Sequence, residues 1–205
     1  DGRWMPFTAT QVTARGSMEF IWSARVAMAP LLHLQVTDGL VRGIGSGKVA
    51  LLSAVPVASA VGGMQMNSGA LYRFLAEAVW YPTALLPSAA LSWAPIDDRR
   101  ALATLSNGTS TVSLEFRFNA DDEVIGIYTP GRWRSLGGRY ELAAWEGKFR
   151  SYRRHQGVLV PTEGEVGWYS RDEWRPVWRG TVVAASLRFR RAARNPHESS
   201  EAIRT

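Results

Sequence analysis

Apolar and polar residues alternate with a period of two along much of this chain. The pattern is clearest over residues 111–118, where every second residue is apolar, and it recurs over residues 18–28 and 181–189. Period two is typical of β-strands that have one buried and one exposed face. One-sided strands in succession favour an antiparallel sheet, because parallel sheets are covered on both faces. We therefore predict an antiparallel, mainly β protein.

One segment has the period of a helix instead. Ser68 is a suitable N-cap for it, and Pro82 would end or kink it. Arg73 and Glu77 are spaced as an i,i+4 ion pair on the outward side. The apolar stripe consists of Leu71, Phe74, Leu75, Ala78 and Val79. A balance of about ten strands to one main helix, over about residues 68–86, indicates the α+β or nearly all-β class.

Turn-forming residues separate the strands, because Gly, Asn and Asp favour turns. They occur at residues 37–39, 106–108, 119–122 and 155–157. At 205 residues the chain can bury one sizeable core, and we predict a single domain over residues 1–194. Residues 195–205 lack an apolar period and are expected to form a disordered tail. Because the chain begins at Asp1 without Met, we expect a processed or trimmed domain.

The net charge of +6 is concentrated in one region. Residues 131–194 hold fourteen basic and six acidic residues, and the basic ones are almost all arginine interleaved with tryptophan. Arginine beside aromatic rings suits lipid phosphates, so this region is a candidate for contact with a membrane surface. It also suits single-stranded nucleic acid. A solvated sheet face explains the same composition and is favoured. A nucleic-acid surface would use Arg150, Arg153, Arg154, Arg188 and Arg190 with Trp168.

No catalytic or metal-binding motif is found in the sequence. The absence of Cys excludes disulfides, thiolate metal sites and a cysteine nucleophile. Residues 43–48 are glycine-rich but lack the phosphate-loop spacing, so we expect them to make room beside a strand for a ring or a ligand. Glu163 and Glu165 lie on one side of a predicted strand and are interpreted as countercharges for arginine. We predict no enzyme activity, no cofactor and no metal.

The end of the predicted helix is the most unusual local stretch. Glu77 lies one turn from Trp80, just before a proline-containing stretch, and irregular helix ends over a sheet form pockets. One interpretation places Glu77 in a ligand site. The favoured one pairs Glu77 with Arg73 or a sheet arginine, while Trp80 and Leu85 cover the end of the sheet. A hydrolase site of Glu77 and His33 is a further alternative.

Several phrases of the sequence resemble an uncharacterised bacterial family of unknown function. They are residues 4–11, 20–24, 77–87 and 157–168 together with Trp93, and the resemblance spans nearly the whole chain. The order of long antiparallel strands, one helical insertion and a late hairpin is also similar to the lipoprotein-carrier superfold of the bacterial envelope.

The carrier resemblance implies a specific architecture and site. It implies one curved antiparallel sheet that forms a half-barrel of about ten strands, with the helix of about residues 68–86 packed on its concave face. An apolar cavity would lie between sheet and helix, at a cell-envelope, periplasm-like location, although the sequence leaves the cytoplasm open. The implied ligand-binding residues are Trp22, Leu114 and Phe116 on the sheet and Leu71, Phe74, Glu77, Trp80 and Leu85 on the helix side.

We therefore predict a non-enzymatic protein that binds or carries a lipid or other apolar ligand in this cavity. Each buried methylene contributes about 0.8 kcal/mol, so an alkyl chain binds without specific polar contacts. Two alternatives remain open at this point. One is a structural or scaffolding module of the same fold with a filled core, and the other is an Arg- and Trp-rich sheet that binds nucleic acid.

Overall fold

Two antiparallel sheets make up most of the protein. The computed structural model describes residues 4–188. Sheet 1 consists, in spatial order, of β1 (Phe7–Ala14), β2 (Glu19–Ala29), β3 (Leu32–Val41), β4 (Ile44–Leu51) and β5 (Val55–Val61). Sheet 2 consists, in chain order, of β6 (Leu91–Asp97), β7 (Arg100–Ser106), β8 (Thr111–Phe118), β9 (Val124–Leu136), β10 (Arg139–His155), β11 (Val158–Ser170) and β12 (Glu173–Thr181). Each strand pairs with its neighbours in sequence, so each sheet is a meander.

One α-helix, α1 (Met64–Glu77), connects the two sheets within the described residues. Short 3-10 turns at Ala78–Trp80 and Pro82–Leu85 follow it, and a third lies at Arg15–Ser17. The mainly β class with antiparallel strands and one main helix is therefore confirmed.

The division into two sheets differs from the single curved sheet of about ten strands that the carrier resemblance implied. The described residues contain twelve strands, and α1 separates β5 from β6 in the chain. As a result β5 is one edge strand of sheet 1 and β6 is one edge strand of sheet 2. The two sheets are not closed into a barrel. Period two identifies strands, but it does not identify which neighbouring strands are left unpaired.

The helix also begins earlier and ends earlier than expected. Its N-cap is Gly63, in the left-handed region at φ 86°, and Ser68 lies inside the second turn. The apolar stripe starts only at Leu71, because the first turns of α1 pack their backbone against Gly45 of β4. The residues after Glu77 continue as 3-10 turns.

The strand predicted over residues 181–189 is wrong for residues 182–188. β12 ends at Thr181, and residues 182–188 have no regular structure. Val182 N–H still donates to the Thr162 carbonyl at 2.8 Å. The next position of β11 is Pro161, which has no N–H to extend the pairing. Phe189 and the predicted tail over residues 195–205 lie outside the described residues.

The hydrophobic core is shared by both sheets and the helix. Sheet 1 contributes Phe20 and Leu40, and α1 contacts β3 and β4 of sheet 1 and β8 and β9 of sheet 2. The other members that are almost completely buried come from α1 and sheet 2. They include Leu71, Leu75, Ala103, Leu114, Phe116 and Ile127. The helix thus joins the two sheets through one packed core.

Candidate functional site

The structure places four of the eight predicted ligand-binding residues inside the packed core. Leu71, Phe74, Leu114 and Phe116 are at most 3% exposed. Leu71 and Phe74 reach this position from the apolar stripe of α1, and Leu114 and Phe116 from the inner face of β8. Their side chains contact other core residues, so this part of the helix–sheet interface is filled. As ligand contacts they remain predictions.

Trp22, Trp80 and Leu85 are half-buried at the margin of the core. The indole N–H of Trp80 donates to the Pro161 carbonyl at 2.9 Å. Its ring packs edge-on against Phe149 at 5.7 Å, and a Cβ on Gly164 would lie 3.1 Å from it. Trp80 therefore anchors the end of the helical segment to sheet 2, as the favoured interpretation of this stretch expected.

Glu77 forms the ion pair with Arg73 that its spacing predicts, at 2.7 Å. The pair lies on sheet 1, however, and is not on an outward face: the side chains of Arg73 and Glu77 are only 20% and 16% exposed. Gln11 donates to the second carboxylate oxygen of Glu77 at 2.6 Å. Arg73 also pairs with Asp38 at 3.0 Å. Glu77 is therefore a fully bonded carboxylate that fixes α1 to sheet 1.

Asp38, which pairs with Arg73, was not predicted to be part of the site. Residues 37–39 are predicted to form a turn, but they lie inside β3, paired with β2 on one side and β4 on the other. Hydrogen bonds on both edges outweigh the local turn preference of Asp-Gly. Burial raises the pKa of Asp38, and the charge of Arg73 opposes this. Asp38 faces α1, because it pairs with Arg73 of that helix, and it lies at the edge of a cavity.

This cavity lies between sheet 1, α1 and β9 and has a volume of about 220 Å³. Its lining combines apolar groups with three charged side chains. The apolar part includes Phe20, Met66, Ala70, Trp133 and Tyr140, and the charged part is Asp38, Arg73 and Arg132. We call it the inter-sheet cavity. Its mixture of rings and a few convergent polar groups is typical of small-molecule sites.

Arg132 is the unusual member of this lining. Its Nη2 donates to the Gly69 carbonyl of α1 at 3.0 Å, but its Nε is buried without a hydrogen-bond partner in the part of the chain that the structure describes. Within residues 4–188 it forms no ion pair, whereas Arg73 pairs with two carboxylates. Burial lowers the pKa of Arg132 to about 10, and the charge of Arg73 adds to this. The guanidinium is therefore still cationic at neutral pH.

Aromatic rings hold the Arg132 guanidinium in place. It lies 4.3 Å from the ring centre of Trp145 and 5.3 Å from that of Trp168. The indole Nε1 of Trp145 is also buried without a partner among the described residues. Both unpaired groups are donors, so what this region lacks is a hydrogen-bond acceptor. A buried guanidinium without an anion is costly unless an acceptor is supplied.

A β-bulge places Arg132 on the inner face. Arg132 pairs with Ala143, and Thr129 pairs with Trp145. Ala143 and Trp145 are two positions apart and share a face, so Thr129 and Arg132 share that face although they are three positions apart. The extra residue belongs to the Pro130-Gly131 step, and Pro or Gly inside an alternating run is a recognised bulge signal. Pro130-Gly131 is therefore the sequence signal from which this bulge could have been predicted.

A second cavity of about 350 Å³ lies near the 3-10 turn at Arg15–Ser17. Phe74, Ala84, Leu91 and Leu105 contribute to its lining, and Arg15 is its one charged lining residue. Exposed Leu86 and Ala89 lie at its rim. It lacks the convergent polar groups that orient a ligand.

Many of the arginines on sheet 2 are paired with carboxylates. Arg150 contacts Glu163 at 2.7 Å, and Glu165 lies 3.6 Å from Arg150 and 3.9 Å from Arg179. This confirms the countercharge interpretation of the two glutamates. Ser151 and Arg150 lower the pKa of Glu163. No cluster of metal-ligating side chains is present within the described part of the chain, and no described helix is long and apolar enough to cross a membrane.

A comparison with protein families finds one match. The model of a family of unknown function, DUF6544, matches residues 1–180 of the chain. No curated protein and no solved structure matches.

Proposed function

We propose that this chain, which belongs to the DUF6544 family of unknown function, is a non-enzymatic protein that binds a small apolar ligand with an acidic group. The ligand would occupy the inter-sheet cavity, with its acidic group at Arg132 and its apolar part against Phe20, Met66 and Ala70. Likeness to the envelope lipoprotein carriers and a place in the cell envelope form part of this proposal.

The observation that carries the proposal is Arg132, a cavity-lining arginine that forms no ion pair among the described residues and whose Nε is buried there without a hydrogen-bond partner. A carboxylate or phosphate group in the cavity would bind the guanidinium through charge-assisted hydrogen bonds and would supply the counterion that it lacks. Charge-assisted hydrogen bonds of this type are roughly twice as strong as neutral ones. The charges of Asp38 and Glu77 act on Arg132 only at a distance, because both carboxylates contact Arg73 instead.

The volume of the cavity limits the size of the ligand. About 220 Å³ is below the range of roughly 300–1,000 Å³ that is usual for drug-sized ligands. It corresponds to roughly seven groups the size of a water molecule in the liquid. A short alkyl chain with an acidic head fits this space, and so does one end of a larger lipid. Each methylene that it buries adds about 0.8 kcal/mol.

Octanoate tests the proposal directly by isothermal titration calorimetry. We expect octanoate to bind the wild-type protein, and 1-octanol, which has the same chain without the acid, to bind at least about tenfold more weakly. Arg132→Met should weaken octanoate binding by at least about tenfold because it removes the cation. Arg134→Met is the matched control: Arg134 packs 5.7 Å from the ring centre of Trp168, two residues along the same strand, and does not line the cavity.

Failure of octanoate to bind the wild-type protein contradicts the proposal, as does unchanged binding to Arg132→Met. A screen of the native protein by mass spectrometry extends the test to other ligands. A co-purifying mass should be lost in Arg132→Met and retained in Arg134→Met.

A scaffolding module with a filled core is the second candidate function. It is favoured by the complete burial of Leu71, Leu114 and Phe116 between helix and sheet. Under this alternative the protein carries no small molecule, and neither octanoate nor an apolar dye binds. Contact of the Arg-rich residues 131–194 with a membrane remains a prediction, and the ion pairs of Arg150 and Arg179 reduce the charge available for it.

A further inference from the structure

One end of sheet 1 exposes a group of large apolar side chains. It is formed by the β2–β3 turn, the β4–β5 turn and the residues that precede β1. The two turns lie side by side, because the Leu52 N–H donates to the His33 carbonyl at 3.0 Å. The Ala27 N–H donates to the Pro6 carbonyl at 2.9 Å, which places Met5 beside the same end. We call this group the apolar tip: Trp4, Met5, Met28, Leu31, Leu32, Leu52, Val55 and Val57.

Two leucines of the apolar tip occupy backbone positions that normally favour glycine or asparagine. Leu31 has φ 64° and Leu52 has φ 52°, both in the left-handed region. Their side chains are 97% and 46% exposed, so core packing does not compensate for the strained backbone. A turn selected only for folding would carry Gly or Asn at these positions. The leucines therefore point to a contact outside the monomer.

Within sheet 1, the charges near the apolar tip are positive. Residues 4–76 contain only two acidic residues, Glu19 and Asp38. Glu19 lies at the opposite end of β2, and Asp38 is paired with Arg73. Arg25 and Lys48 are exposed on the strands behind the two turns.

The flanking groups also match the interface of a bilayer. The guanidinium of Arg179 packs over the ring of Trp4 at 3.9 Å. Tryptophan and arginine are enriched where apolar groups meet polar lipid headgroups. An apolar surface with a basic rim is typical of proteins that lie on anionic membranes.

We propose that the apolar tip docks on the surface of an anionic lipid bilayer. Leu31 and Leu52 enter the acyl boundary, while Trp4, Arg25 and Lys48 lie at the level of the headgroups. This inference goes beyond the cavity and does not depend on it, since the apolar tip and Arg132 involve different residues.

A second copy of the chain fits the apolar tip less well than a bilayer does. A two-fold contact pairs the same patch on both copies. It would bring Arg25 and Lys48 of each copy towards those of the other, without acidic partners in the patch. Like charges across an interface are unfavourable, whereas anionic headgroups neutralise them.

Vesicle co-sedimentation of the full chain tests this proposal. We expect binding to vesicles of phosphatidylcholine with about one third phosphatidylglycerol, and weaker binding to pure phosphatidylcholine or at high salt. The double variant Leu31→Asn and Leu52→Asn should reduce binding at least about tenfold. Asn tolerates the left-handed region, so the thermal midpoint should stay the same or rise, which separates loss of binding from loss of folding.

The matched control is the double variant Leu136→Asn and Leu142→Asn. It removes two exposed leucines of β9 and β10 outside the apolar tip and should bind vesicles like the wild type. The proposal is overturned if the Leu31 and Leu52 variant binds vesicles as well as the wild-type protein does. It is also overturned if the wild-type protein binds both vesicle compositions equally, or binds neither. Light scattering tests the alternative. If the wild-type protein is a dimer and the Leu31 and Leu52 variant is a monomer, the tip binds a second copy and the proposal is overturned.

Discussion

Gly45 allows the backbone of α1 to lie directly on β4. Its N–H donates to the Asn67 side chain at 2.9 Å. A Cβ at this position would lie 2.6 Å from the Met66 carbonyl oxygen and 3.1 Å from the Cβ of Ala70. The glycine-rich residues 43–48 do make room beside a strand, as predicted, but at Gly45 the helix backbone occupies the space that was expected to hold a ring or a ligand.

We predict that Gly45→Ala destabilises the protein by about 1–3 kcal/mol, because the helix must move to accept the methyl group. Urea unfolding measures the change. The control is Gly69→Ala in α1, where a Cβ meets no atom within 4 Å. That change should stabilise the helix by about 0.5–1 kcal/mol. Similar effects of the two substitutions would contradict this account of Gly45.

Arg132 shows why single residues of a site are hard to place from sequence. Strict alternation from Ile127 and Thr129 assigns Gly131 and Trp133 to the inner face. The bulge at Pro130-Gly131 shifts that phase by one residue, so Arg132 faces the core instead. Its lack of an ion pair within the described residues depends on which carboxylates Arg73 binds, and no local pattern records that competition.

Among the secondary-structure elements, α1 is fixed to sheet 1 by charge and to both sheets by its apolar stripe. Arg73 lies between Asp38 of β3 and Glu77 of its own helix, and its guanidinium is 4.9 Å from the ring centre of Trp22. The i,i+4 spacing predicted the Arg73–Glu77 pair correctly. It could not predict which side of the helix the sheet covers, since that depends on the position of β3.

We predict that Arg73→Met destabilises the protein by about 2–3 kcal/mol, because Asp38 and Glu77 are left without a cation in a partly buried position. The control is Arg175→Met on β12, whose partner Glu173 is largely exposed. Loss of an exposed pair of this kind changes stability by at most about 0.5 kcal/mol. Equal midpoints of denaturant unfolding for the two variants would show that the Arg73 network adds no stability.

For the whole molecule, the shared core makes α1 the connection between the two sheets. Leu71 is completely buried among residues of both sheets. If the sheets unfold as one unit, a defect at this position lowers the stability of both.

We predict that Leu71→Ala destabilises the protein by about 2–5 kcal/mol through the cavity it creates. Hydrogen exchange should show an equal loss of protection at Ala24 in sheet 1 and Leu114 in sheet 2, because both open in the same global transition. The control is Leu142→Ala, an exposed leucine, which should leave both sites unchanged. Loss of protection in one sheet alone would show that the sheets unfold separately.

The amino-acid sequence by itself determined most of the strands, their antiparallel order and the presence of one main helix. Those features depend on contacts between residues that are close in the chain: alternation along residues 111–118, turn residues at 106–108, and the spacing of Arg73 and Glu77. Local periodicity and turn chemistry are sufficient to specify them.

Only the tertiary structure decided how many sheets form, where the cavity lies and that Arg132, a cavity-lining arginine, has no ion pair among the described residues. Each of these depends on groups far apart in the chain, such as Asp38 with Arg73 or Gly69 with Arg132. The one-residue bulge in β9 and the absence of pairing between β5 and β6 change which side chains contact each other. Long-range packing therefore selected the candidate site from strands that the local pattern had already specified.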